Sequence, residues 1–141
     1  MRLGKHSGQY SPGEVLTCEY RVELRNYHLP EDQKIVAIET SILWRTEGKG
    51  DSDIGVHFFE RREKKNVHPD LLQQTHKLTT ILPQSPLSYD GAIVKIRWIV
   101  RVRVFLADGS EKTHDEEFRL GNAARLTTPP LGIISDDEED E

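Results

Sequence analysis

Apolar and polar residues alternate along most of this chain with a period of two. Leu16, Cys18, Tyr20, Val22 and Leu24 interleave with Thr17, Glu19, Arg21 and Glu23, the pattern of a strand with one face buried. Asn26 to Asp32 contains Pro30 and reads as a loop, after which Val36, Ile38, Thr40, Ile42 and Trp44 alternate again. Gly48-Lys49-Gly50-Asp51 is a turn leading into a strand from Ile54 to Arg61, with Val56 and Phe58 expected on one face and His57 and Phe59 on the other. Glu60 to Lys65 is charged in both signs, and Val67 to Gln73 fits either a loop or one short helical turn. Gln74 to Leu82 is a further strand. Ala107-Asp108-Gly109-Ser110 forms a hairpin turn into a last strand, Lys112 to Leu120.

The longest alternation starts at Val94. Val94, Ile96, Trp98, Val100, Val102, Val104 and Leu106 share one face, while Lys95, Arg97, Arg101 and Arg103 share the other. Before it, Asp90-Gly91 predicts a chain reversal, glycine offering a residue free to take positive φ. Short strands with regular turn signals, and no helix of convincing amphipathic length, predict an all-β sandwich.

The run from Leu82 to Val104 joins a Leu-Pro corner, the turn Ser88-Tyr89-Asp90-Gly91 and the strand Ile96-Arg97-Trp98-Ile99-Val100-Arg101-Val102. This arrangement resembles the arrestin-like superfamily, including the arrestin-shaped subunit of retromer. Gly13-Glu14-Val15-Leu16 resembles the opening of the family's first strand, and Ile38 to Trp44 the strand that follows. The resemblance covers roughly residues 12 to 120 and implies an immunoglobulin-like β-sandwich of arrestin type. The family carries two such sandwiches in tandem and this chain has room for one. Activities that need the groove between two halves are therefore not implied, and self-association as a homodimer would restore a two-sandwich arrangement.

Composition narrows the function. A chain of 141 residues fits one domain with a real core. Its apolar runs are far too short to span a bilayer, and Met1 to Tyr10 lacks the apolar centre of a secretory signal, so a cytoplasmic location is expected. Asp136, Asp137, Glu138, Glu139, Asp140 and Glu141 account for the formal charge of -5: without them 18 acids face 19 bases. Three parts are expected: a flexible N-terminal segment over 1–11, the sandwich over 12–121, and a linker with an acidic disordered tail over 122–141.

Catalytic chemistry is nearly absent from the pattern. Cys18 is the single cysteine, which excludes an intrachain disulfide, and it falls among core-side residues. The six histidines lack the spacing of a helical metal pair, and His57, His76 and His114 would form a metal cluster only if their strands were neighbours. No phosphate loop, nucleophile elbow or calcium loop occurs, so neither an enzyme nor a bound cofactor or metal is expected.

What remains is the row Lys95, Arg97, Arg101 and Arg103, matched to carboxylates or phosphates, with Ile99 and Phe105 between the charges as if to be covered. Cross-strand Glu39, Glu117 or Glu23 would instead make it an ordinary solvated face. The leading expectation is a non-catalytic adaptor that binds a protein partner through an edge strand or this basic face, with the acidic tail as a possible mask. The alternative is a nucleic-acid or anionic-lipid binder using the same row, against which the near-neutral body and the acidic tail both weigh. A small-ligand module built on Trp44 and Trp98 is disfavoured, because both tryptophans fall on core faces.

Overall fold

The alternating stripes bury themselves by laying two sheets face to face, antiparallel throughout except where Gln9–Tyr10 joins the larger one. A computed structural model describes residues 1–5, 7–22, 35–48, 50, 52–63 and 75–121. In chain order the strands are β1 (Arg2–Leu3), β2 (Gln9–Tyr10), β3 (Val15–Arg21), β4 (Ile35–Gly48), β5 (Ile54–Glu63), β6 (Thr75–Ile81), β7 (Tyr89–Asp90), β8 (Val94–Leu106) and β9 (Glu111–Leu120). One sheet has the order β1-β3-β6. The other runs β2-β9-β8-β4-β5, with β7 pairing the start of β8. No helix occurs among the described residues, and the all-β sandwich expected from the pattern is the architecture observed.

β8 lies at the centre of the large sheet. It pairs β4 from Leu106 back to Val94 and β9 from Phe105 back to Trp98. Its inner face carries Trp98, Val100, Val102 and Val104 into one core with Ile38 and Ile42 of β4, Phe118 and Leu120 of β9, and Leu16, Cys18, Tyr20 and Leu78 of the small sheet. Each fully buried large side chain in such a core contributes about 1.5–3 kcal/mol of transfer free energy. The Trp98 indole N–H donates to the Pro86 carbonyl at 2.7 Å, so its polar atom is satisfied in the interior.

Two irregularities depart from strict alternation. The β4–β8 register shifts between Ile35 and Ala37, so Ile35 is buried in the core and Val36, expected on the core face, is only half-buried. The β4–β5 register shifts at His57: Phe58 lies opposite Ile42, and Val56 lies opposite Leu43. The bulge puts Val56 on the outer face and Phe58 on the inner one, which corrects the expectation that these two share a face, as His57 and Phe59 were also expected to do.

The first residues are not a loose extension. β1 pairs β3, and β2 pairs the end of β9 in parallel, with Gln9 opposite Arg119 and Tyr10 opposite Leu120. Tyr10 is fully buried and meets Phe118 edge-on at 5.6 Å. The expectation of a flexible 1–11 segment missed this because the alternation signal needs more residues than these two-residue strands supply. The expected linker and tail, 122–141, lie outside the described residues, as do Leu24, the 26–32 loop and the 67–73 segment.

The turn at Asp90-Gly91 does reverse the chain, with Tyr89 opposite Ile96 and Asp90 opposite Lys95. Gly91 is not among the positive-φ glycines. A Cβ at Gly91 would come within 2.3 Å of the exposed Tyr89 ring, so a larger residue there would push that ring aside. Ser88 anchors this corner to β9: its N–H donates to the Leu120 carbonyl at 2.7 Å, and its Oγ accepts from the Leu120 N–H at 2.8 Å.

Buried polar contacts cross between the sheets. The hydroxyls of Tyr20 and Thr40 are hydrogen-bonded at 2.7 Å, and the Tyr20 ring stacks on His76 at 5.1 Å. Arg62 donates to His76 Nδ1 at 2.9 Å. Burial, the largest influence, pushes the Tyr20 hydroxyl above its ordinary pKa, and the Thr40 hydrogen bond partly opposes it. Tyr20→Phe would strand the buried Thr40 hydroxyl and should cost about 1–3 kcal/mol. Adding Thr40→Val should restore part of that loss, as urea denaturation of the single and double variants would measure.

Candidate interaction surface

Because the even-numbered residues of β8 form the core, its odd-numbered residues face outward. The structure places Lys95, Arg97, Arg101 and Arg103 together on that outer face, as expected. Each has a carboxylate beside it. Lys95 lies 3.5 Å from Asp90, and Arg97 donates to Glu47 at 3.0 Å and Glu117 at 2.8 Å. Arg101 grips Asp115 through two bonds, at 2.8 and 3.1 Å. Arg103 donates to Glu111 at 2.6 Å and approaches Glu39 at 3.6 Å. Glu39 and Glu117 thus do pair with the row, whereas Glu23 lies outside the described residues.

These contacts leave a marked protonation signature. The Arg101 hydrogen bonds hold the Asp115 carboxyl below the ordinary aspartate value, and the Arg97 hydrogen bond does the same for Glu47. One crowded point remains. Arg45 lies directly opposite Arg97, the two share Glu47, and Arg45 Nε is buried without a hydrogen-bond partner.

The apolar residues of this face are covered by the chain's own side chains. Ile99 is 3% exposed and its cross-strand neighbour Leu43 4%, both beneath the lattice of arginines and acids. The Phe105 ring has the guanidinium groups of Arg61 and Arg103 each 5.1 Å from its centre. The cover that the sequence pattern asks of a partner is supplied internally at these positions.

The uncovered apolar surface lies one strand over, on β5. The large sheet ends at this strand, so among the described residues one side of its backbone has no strand beside it. Its outer face presents Ile54 at 62%, Val56 at 59% and Phe59 at 57% exposure, followed by Arg61 and Glu63. Arg61 is tied back by Glu39 at 2.5 Å. At the bulge, the His57 ring turns inward, and its Nε2 lies 3.2 Å from Thr80 Oγ1 and donates to the Ile81 carbonyl at 3.0 Å, binding β5 to the rim of the small sheet. The edge residues were not singled out from sequence. The signal that could have found them is the run Val56-His57-Phe58-Phe59, which breaks the period of two and marks a bulge.

The histidines do not assemble. His57 is engaged with β6, His76 with Arg62 and Tyr20, and His114 is exposed on β9 opposite Val102. Among the described residues no group of three or more His, Cys, Asp or Glu side chains is arranged to hold a metal ion. Cys18 is buried in the core, and loss of solvation raises its thiol to about 11. No helix of the described residues is long and apolar enough to cross a membrane.

No family model matches the chain, and no curated protein matches it. Among solved structures it is similar to the sporulation control protein Spo0M from Bacillus subtilis, with a TM-score of 0.51 and 15% sequence identity. The match covers 86% of this chain and 47% of that one, so the chain spans about half the length of the structure it resembles. The likeness shows the fold, a β-sandwich of the arrestin type.

The site chemistry gives two expectations. The folded Asp115 carboxyl titrates below its unfolded value, so its contribution is complete above about pH 4 and is lost as pH falls through the lowered folded value. Asp115→Asn should therefore destabilise the protein at neutral pH by about 0.5–1 kcal/mol, and the difference should shrink progressively as pH falls below about 4, as denaturation across that range would measure. Cys18 should resist a thiol reagent at about pH 8 in the folded protein and react once denaturant is added, because its thiolate is scarce and enclosed.

Proposed function

We propose that this chain is a non-catalytic, arrestin-like interaction module that takes up an extended protein segment along the β5 edge. One observation carries the reading: among the described residues β5 ends the large sheet and presents Ile54, Val56 and Phe59 to solvent beside a backbone rim with no strand paired to it. An added strand would gain main-chain hydrogen bonds from the rim and apolar contacts from the outer face. The fold supports this use, because a sandwich holds its edge strand rigid before binding and so reduces the ordering cost of association.

The basic row fits a secondary role. Each of its four cations already has a carboxylate at its side, and an incoming phosphate or carboxylate would have to displace it. The same pairing removes the electrostatic reason for the acidic tail, Asp136 to Glu141, to settle on this face. Binding of nucleic acid or anionic lipid through the row is disfavoured on the same ground.

The test is capture of partners from native lysate by the wild type, Phe59→Lys and Arg101→Ser, followed by titration of any purified partner. Phe59→Lys should weaken the purified interaction about tenfold or more, while Arg101→Ser should change it less than about twofold. The reverse order of effects would move the site to the basic row and sink the edge reading.

A further inference from the structure

We infer that the strand accepted by this edge is β5 of a second copy of this chain, paired antiparallel about a two-fold axis between His57 and Phe58. The inference rests on the reading of β5 as the docking edge, and it follows from a self-complementarity in the strand.

A strand that pairs with itself antiparallel must bring each residue opposite a partner on the same face of the joint sheet. The bulge restricts the choices. Ile54, Val56, Phe59, Arg61 and Glu63 face outward, while Gly55, Phe58, Glu60 and Arg62 face inward and the extra residue His57 turns inward as well. An axis on Glu60 would oppose two glutamates, and one on Arg61 two arginines. An axis on Phe59 would set inward His57 against outward Arg61.

With the axis between His57 and Phe58 every face agrees. Val56 then meets Phe59 of the second copy, and the reverse pair repeats across the axis. This places a β-branched and an aromatic residue together at the middle of the seam, a favourable cross-strand pair. Ile54 falls beside the stem of Arg61, and Gly55 beside Glu60.

Charge complementarity appears at both ends. The same register sets Asp53 opposite Arg62. Asp53 prolongs the strand ladder, since its N–H donates to Thr46 Oγ1 at 2.8 Å and its carbonyl accepts from the Thr46 N–H at 3.0 Å. Its carboxylate has no ion pair among the described residues. Arg62, one-third exposed, donates through one terminal nitrogen to His76 at 2.9 Å and lies 3.5 Å from Glu60 through the other, which an incoming Asp53 would share. The three exposed apolar side chains of the edge are thus covered by the strand that carries them, and the unmatched acid gains a cation.

The experiment uses the full chain in two forms. Sedimentation equilibrium over a range of concentrations should show a reversible dimer for the wild type and a monomer for Phe59→Lys, and at a dilution where the wild type is also monomeric the two should melt alike, because Phe59 is exposed. The register is read by mild oxidation of Val56→Cys/Phe59→Cys. Val56 and Phe59 lie about 10 Å apart along one strand, too far for a bond within a chain, whereas cross-strand partners come within reach of a disulfide. The double variant should give a covalent dimer on a non-reducing gel, and neither single variant should, since each would face an unchanged residue.

A dimer from Phe59→Cys alone would overturn the register, and a dimer indifferent to Phe59→Lys would overturn β5 as the seam. A wild type that stays monomeric throughout would overturn the second copy as occupant. If Phe59→Lys still abolished binding of a different purified protein, only the identity of the partner would have failed and the edge reading would stand.

Discussion

The constraint on which the rest of the structure depends is the double pairing of β8. With β4 on one side and β9 on the other, its residues have only two directions left, and the core takes one of them. Trp98, Val100, Val102 and Val104 must point inward together, so Arg97, Ile99, Arg101 and Arg103 must point outward together. The neighbouring strands inherit this choice residue by residue. Glu39, Asp115 and Glu117 arrive beside the arginines because Ile38, His114 and Phe118 belong to the opposite face.

The outer face is consequently a closed electrostatic system. Positive side chains from β8 are matched by acids from β4, β7 and β9, and on the same face Leu43 and Ile99 are buried. Individual pairs of this kind are worth little when solvated, and a network that also shields apolar surface gains from packing as well as charge. On β5 this shielding gives out: among the described residues, Val56 beside Leu43 and Phe59 beside Ser41 have no strand beyond them to carry further arginines.

Much of the sandwich was legible as period-two alternation, because a half-buried strand of seven or more residues repeats its signal several times. β3, β6, β8 and β9 follow the pattern within a residue or two at the resolved ends. Three kinds of feature were not legible. β1 and β2 are too short to show a period, and their placement depends on partners more than a hundred residues away in the case of Tyr10. The bulges at Val36 and His57 shift every later side chain to the other face; only the second leaves a local sign, the broken alternation of Val56-His57-Phe58-Phe59, and the first leaves none. The ion pairs of the row were visible only as alternatives, since sequence does not say which strands lie next to β8.

The stitching of β2 to the end of β9 bears on how the molecule assembles. Gly121 donates to Tyr10, Arg119 donates to Gly8, and the Gln9 amide reaches the Gly121 carbonyl. These bonds join residues over a hundred positions apart, so loop closure opposes them until the intervening strands have collapsed. Tyr10 has no pocket to fill until Phe118 and Leu120 are in place. The pairing of β2 with β9 is thus a contact of long sequence separation, the kind that slows folding rather than starts it.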